Sequence, residues 1–243
     1  DKMIPKVIHY CWFGGKPLPA DVLKCIETWK KYCPDYEIKQ WNESNFDVYS
    51  HPFMKAAYEA KAWAFVSDYA RLKVIYDNGG IYLDTDVEIL RKPDFLLNNK
   101  CYIGIQQPKL LCNTGLGFGA EKASSVVEKM LESYDTLTFC EENKNTFACP
   151  GLNDKAIRSL GNVSNDEITY LNNVTIYPPR FFDPISTGKT LNLLCDDTVS
   201  IHHYAASWTS NRQRWKRKVA RSLGVKNVQR LKALRTKLSG WSR

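Results

Sequence analysis

Residues 6 to 12, KVIHYCW, form a β-branched and aromatic run that stops in FGGKPLP, a pattern that predicts a strand followed by a loop. Val22, Ile26, Trp29 and Tyr32 recur at helical spacing over residues 21 to 32, Pro34 ends the run, and Tyr36 to Trp41 reads as a second strand. A β-α-β opening favours an α/β sheet. The clearest helical pattern covers Phe53 to Asn78, with Tyr58, Ala62, Phe65, Tyr69, Leu72 and Tyr76 in one apolar stripe and Asn78-Gly79-Gly80 as the stop. Asp68 and Arg71 lie three apart on the flank of that stripe. After the glycines, Ile81-Tyr82-Leu83 is a short apolar strand, and Asp84-Thr85-Asp86 follows at its carboxyl end, where open α/β sheets place their ligands.

Later signals are weaker. Lys100 to Gln106 and Thr114 to Gly119 read as strands and Ser124 to Tyr134 as a helix, followed by a polar stretch at 141 to 146. Residues Asn162 to Thr175 are turn-rich, Tyr177-Pro178-Pro179 is an extended connection, and Val199 to Tyr204 reads as a last strand closing in HHYAASW.

Charge divides the chain. Of 34 Lys+Arg, twelve lie between Thr209 and Arg243, where there is no acidic residue; residues 1 to 208 therefore hold 22 basic against 26 acidic and carry a net −4. The expected organisation is a mildly acidic body, 1–208, and a basic tail, 209–243. At 44% hydrophobic residues, wholesale disorder is excluded. No apolar run reaches the roughly eighteen residues of a membrane span, so the chain reads as soluble or peripheral and cytoplasmic. Eight cysteines without a CxxC pair read as reduced, mostly buried thiols. The N-x-S/T triplets at Asn42, Asn162 and Asn173 matter only in a secretory compartment.

Two aspartates one residue apart on a strand end offer hard oxygen ligands to Mg²⁺ or Mn²⁺, and such a cation commonly neutralises a departing diphosphate. Alone, D-x-D reads first as a solvated turn, and its neighbours are what raise the metal reading. Asp68 and Arg71 add a carboxylate for sugar hydroxyls and a guanidinium for phosphates, although an internal ion pair would look the same. His202 and His203 can each supply an imidazole ligand, but adjacent strand residues face opposite ways, so only one can reach the cation. Trp29, Trp41 and Trp63 read as core residues and His9 as a packing residue.

The stretch Ala64 to Val87, AFVSDYARLKVIYDNGGIYLDTDV, resembles the signature of the DXD-type sugar transferases of glycosyltransferase family 32, whose distant relatives include the glucosylating clostridial toxins. IHYCWFGG at 8 to 15 and HHYAASW at 202 to 208 extend the resemblance; residues 120 to 198 carry it only loosely. It implies a GT-A fold and transfer from a nucleotide diphosphate sugar with retention at the anomeric carbon, assisted by Mn²⁺ or Mg²⁺. It assigns Asp84 and Asp86 to the cation and nucleotide, Asp86 as the more direct ligand, and Asp68 and Arg71 to the donor sugar and phosphates. Ile8, Ser67, Tyr82 and Thr85 join the donor site. Trp12 resembles the aromatic that stacks on the base, Ser207 and Trp208 the residues that touch the diphosphate, and Asn113 an asparagine lining the sugar pocket. Asp154 falls where acceptor-side polar groups are common. The spacing to Trp208 favours His203 over His202 as the third ligand, at a position where relatives use a glutamate. A UDP-sugar is the expected donor, with GDP-mannose the alternative. The expected acceptor is a glycan or a lipid-linked oligosaccharide of a capsule or other surface polysaccharide.

Competing classes fit less well. A glycoside hydrolase leaves Trp12 and Arg71 unexplained, and FGGKPLP is not the G-x-G-x-x-G of a dehydrogenase. The acidic body opposes a nucleic-acid-binding module, and no nucleic acid is expected. In the tail, Val228, Leu231, Leu234, Leu238 and Trp241 recur at helical spacing among basic residues. Residues 212–243 thus suit either an anionic membrane surface, at its inner face, or packing on the body.

Overall fold

A computed structural model describes residues 3–185 and 191–204. The opening is β1 (Val7–Cys11), α1 (Ala20–Tyr32) and β2 (Glu37–Trp41), with β1 and β2 parallel from Val7 opposite Glu37 to Cys11 opposite Trp41. α1 buries Val22, Cys25, Ile26 and Trp29, while Asp21 in its first turn and Lys30 and Lys31 in its last match the helix dipole. Trp29 is wholly buried and its indole N–H donates to Val87 O at 2.8 Å, which ties this helix to the chain just beyond the aspartates.

The single helix expected over Phe53 to Asn78 is two, α2 (Pro52–Glu59) and α3 (Trp63–Asn78). His51 caps α2, its Nδ1 accepting the Phe53 N–H at 3.2 Å, and Lys61, at φ 54, turns the chain between the helices. A non-glycine residue in that left-handed region interrupts a helix outright. The buried face of α3 also differs from the predicted stripe. Val66, Ala70, Val74 and Ile75 are buried with Tyr69 and Leu72, whereas Phe65 and Tyr76 are only partly covered. The helix packs on several sides, and Asp68 and Arg71 are buried with the apolar residues.

Beyond α3 run β3 (Gly80–Tyr82), β4 (Val87–Ile89), β5 (Cys101–Ile105), β6 (Cys112–Asn113), β7 (Phe118–Ala120), α4 (Ser125–Glu132), α5 (Cys149–Arg158), β8 (Thr169–Tyr170), β9 (Thr175–Tyr177) and β10 (Ser200–His202). The strand expected at Thr114 to Gly119 is instead a 3-10 turn, Thr114–Leu116, followed by β7. Asn113 caps the turn by accepting the Gly115 N–H at 2.7 Å. The main sheet runs β2-β1-β3-β7-β5-β9-β8, with β6 beside β5. It is mixed: β1 is parallel to β2 and β3, and β7 is antiparallel to β3 and β5. β4 and β10 form a separate antiparallel pair. One core joins α2, α3, α4 and α5 to the sheet through residues such as Phe53, Leu72, Phe118 and Ile157; a second holds Ile26 and Trp29 of α1 against Ile8, Ile81 and Phe182. All eight cysteines are free and six of them buried, as expected of reduced thiols. Among the described residues no helix is long and apolar enough to cross a membrane.

Gly80 shows how closely β3 is seated. Its φ is +114°, and a Cβ there would lie 2.8 Å from Val7 O and 2.9 Å from His9 Nε2. Gly80→Ala is therefore expected to destabilise the fold by about 2–3 kcal/mol, seen as a lower urea midpoint at unchanged slope.

Candidate functional site

β3 ends against β1, and the chain leaves it through Asp84-Thr85-Asp86 into β4. β10 pairs with β4 with His202 opposite Val87, which brings the last described strand alongside the aspartate turn. His202 Nε2 lies 3.4 Å from Asp84 Oδ2 and 3.2 Å from Asp86 Oδ1. One ligand atom from each of the three residues falls within 4.8 Å of the others. Two carboxylate oxygens and an imidazole nitrogen form a donor set that suits Mn²⁺ or Mg²⁺.

The expectation that His203 completes this set is corrected. Its Nε2 is 2.8 Å from Glu88 Oε2, on the opposite side of the strand pair, while its backbone N–H donates to Asp86 O at 3.0 Å. The alternation of strand side chains sends His202 to the aspartates and His203 to Glu88. Burial pushes the His202 imidazolium down, but Asp86 and Asp84 outweigh it and raise its pKa to about 10.

Arg71 joins this cluster to α3. Its Nη2 is 2.9 Å from Asp68 Oδ1 and 3.2 Å from Asp84 Oδ1, its Nε donates to Ser67 O at 3.2 Å, and its guanidinium lies 5.3 Å from the centre of the Tyr82 ring. Ser67 thus contributes its carbonyl, and Tyr82 a wholly buried ring. Burial lifts the Asp68 carboxyl to about 6, Arg71 pulling it down and Asp84 pushing it up. Gly115 marks the closest approach of the facing wall. A Cβ there would lie 3.0 Å from both Arg71 Nη1 and Asn113 Oδ1 and 3.1 Å from Asp84 Oδ2. Asn113 stands at this wall, and its own amide donates to Gln106 Oε1 at 2.8 Å.

Other expected residues take different places. Trp12 follows β1, half-buried, its indole N–H donating to Lys16 O at 2.6 Å within its own loop. Thr85 lies in the aspartate turn, half-buried. Ile8 is corrected to a packing residue, since it is wholly buried and paired on both sides, with Ile38 and Ile81. Asp154 is also corrected: its Oδ1 accepts from Cys112 N at 2.9 Å and Arg158 Nε at 2.8 Å, so the carboxylate fastens α5 to β6. His9 packs as expected; its Nδ1 accepts the Trp41 indole N–H at 3.0 Å, which makes Nε2 the donor to Gly79 O at 2.9 Å. Ser207 and Trp208 lie outside the described residues.

The pattern of hydrophobic residues gave no sign of α5, which supplies the remaining wall. Asn153 Oδ1 accepts from Thr114 N at 3.0 Å, Thr114 Oγ1 at 2.8 Å and Cys149 Sγ at 2.9 Å, and Cys149 Sγ is 3.9 Å from Arg71 Nη1. Burial pushes the Cys149 thiol up to about 12, so it stays a neutral packing group. The available signal was the pair Cys149-Pro150, a proline in the first helical turn.

Residues 19–103 match the glycosyltransferase sugar-binding region containing the DXD motif, a span that includes Asp68, Arg71, Asp84 and Asp86. Over this span the chain is similar to the DXD-type glycosyltransferases. It is 29% identical over 119 residues to inositol phosphoceramide mannosyltransferase 3 of Schizosaccharomyces pombe, covering 47% of this chain and 33% of that one. An uncharacterised glycosyltransferase of Acanthamoeba polyphaga mimivirus is 30% identical over 102 residues, 39% of this chain and 40% of that one. The chain spans well under half the length of these relatives. Its fold is that of the GT-A transferases. The solved structure named PaToxG Glycosyltransferase superposes with a TM-score of 0.50 at 20% identity, over 64% of this chain and 69% of that one, a likeness of fold.

Proposed function

We propose that the chain transfers a sugar, with retention, from a nucleotide diphosphate donor to a glycan acceptor, and that it does so with a divalent cation held by Asp84, Asp86 and His202. The observation that carries the reading is the junction at Asp84, whose carboxylate meets both His202 and Arg71. A cation bound there would neutralise charge building on the departing diphosphate. Arg71 supplies a buried, permanently charged fork beside it for phosphate oxygens. Asp68, held by that fork, would accept hydrogen bonds from donor sugar hydroxyls, and the acceptor hydroxyl would attack the face that the diphosphate leaves, its proton passing to the departing phosphate. Trp12 is the proposed platform for the base.

A UDP-sugar is the proposed donor, since an indole suits a pyrimidine. The mannosyltransferase name of the fission-yeast relative favours a second reading, a mannosyl donor such as GDP-mannose. We place the acceptor among capsule or other surface polysaccharides on a lipid carrier, with the enzyme cytoplasmic and its basic tail, which lies outside the described residues, at the inner face of a membrane. The proposed division into a 1–208 body and a 209–243 tail also has its boundary there. Nucleotide sugars screened with and without Mn²⁺ test the reading. Release of free nucleotide from one donor only in the presence of Mn²⁺ is the expected result, UDP or GDP in the product separates the two donors, and no release from any donor would count against transfer.

A further inference from the structure

His202 is an unusual candidate ligand in one respect. A metal-binding histidine is ordinarily oriented by a hydrogen bond from its second ring nitrogen, yet His202 Nδ1 is buried and has no hydrogen-bond partner among the described residues. The ring has an aromatic neighbour. The Tyr204 ring meets it edge to face, with centroids 4.1 Å apart and planes at 77°. Tyr204 adopts φ 48, a conformation that a tyrosine holds only where its surroundings enforce it. The enforcement is visible at the other end of the side chain. Its hydroxyl donates to Asp183 Oδ2 at 2.9 Å, and the same oxygen accepts the Gln107 N–H at 2.8 Å.

Asp183 is wholly buried and plays no part in the reaction as proposed. Gln107 locks the surrounding segment, its amide donating to Asp183 O at 2.8 Å and Leu191 O at 3.1 Å and accepting the Leu191 N–H at 3.1 Å. Its neighbour Gln106 accepts from Asn113, so a single turn braces both the Gly115 wall and the histidine.

We propose that Tyr204, anchored by Asp183, is a positioning residue that holds the His202 ring toward Asp84 and Asp86; the inference rests on reading that cluster as a cation site. Packing here replaces the hydrogen bond that would otherwise set the ring. The test is Mn²⁺ binding to the full chain by titration calorimetry, in wild type, Tyr204→Leu, Tyr204→Phe, His202→Ala and the double variant Tyr204→Leu/His202→Ala. Tyr204→Leu should weaken Mn²⁺ about tenfold or more, the range of lost outer-shell support. Tyr204→Phe keeps the ring and loses the anchor, and should fall between the two by about threefold. In the His202→Ala background Tyr204→Leu should have no further effect, because a residue acting through His202 has nothing left to position. Unchanged affinity in both Tyr204 variants, or losses that add to that of His202→Ala, would overturn the inference while leaving the cation site in place. Wild type that binds no Mn²⁺ would remove the site and the inference together. Should Tyr204→Leu not fold, Tyr204→Phe alone and paired with His202→Ala gives the same decision.

Discussion

Arg71→Met should lower the stability of the chain by about 3–5 kcal/mol, the usual cost of removing one partner from a buried ion pair, and the melting temperature by roughly 10 °C. The arginine side chain is 6% exposed and stands against two carboxylates, Asp68 at 12% and Asp84 at 23%. Methionine fills much of the volume but leaves Asp68 without its cation beside Asp84, which keeps His202. The pH dependence identifies the cause. Burial already holds Asp68 at about 6, above the ordinary carboxyl value, and Arg71 is what restrains it. A carboxyl whose folded pKa is raised weakens the fold above that pKa, and the penalty fades as pH falls toward the unfolded value. Without Arg71 the penalty grows, so the deficit of Arg71→Met should shrink between pH 7 and pH 5. Arg71→Lys keeps the charge without the fork and should recover stability more fully than turnover. Turnover in Arg71→Met should fall by about 10²-fold or more, as when a preorganised donor to a developing anion is lost. Scanning fluorimetry at the two pH values and steady-state kinetics check the two halves separately. A deficit that does not depend on pH would mean that Asp68 is not restrained by Arg71.

How much of this could be read from residues alone follows the range of each interaction. The β1-α1-β2 opening and the placing of Asp84 and Asp86 after a strand depend on local pattern, and the structure agrees with both. The break at Lys61 and the several-sided burial of α3 depend on what surrounds the helix, which a single apolar stripe does not encode. The parity of strand side chains shows that one histidine of His202-His203 must turn away. Which one is decided by where the turn before β4 carries Asp84 and Asp86, a contact between segments more than a hundred residues apart. The wall built from Asn153 and Cys149 and the brace from Gln107 through Asp183 to Tyr204 are likewise contacts between distant segments, and no spacing rule announces them. Gly115, a glycine two residues after Asn113, carries no signal by itself, and its meaning lies in how closely Arg71 and Asp84 approach it.

Asp86→Asn should cost the largest share of activity, with Mn²⁺-dependent turnover falling by about 10³-fold, the equivalent of several kcal/mol of lost charge stabilisation. The carboxamide keeps the shape of the side chain and removes the charge 3.2 Å from His202 Nε2. Proton counting shows why the effect belongs to the cation site. In the metal-free chain burial lowers the His202 pKa, but Asp86 and then Asp84 carry it up to about 10, so the ring holds a proton at neutral pH. The stabilisation this proton gives is complete below about 6.5 and disappears as pH rises through about 10. A divalent cation must displace it, because a ligating imidazole is neutral. Binding should release about one proton, and affinity should rise about tenfold per pH unit between pH 6 and 8. In Asp86→Asn the strongest support for the imidazolium is gone, so less proton is released at pH 7 and the dependence on pH flattens. Titration calorimetry in two buffers of different ionisation enthalpy measures the proton directly. Full Mn²⁺-dependent turnover in Asp86→Asn, or an affinity in wild type that ignores pH, would place the cation elsewhere than between these three side chains.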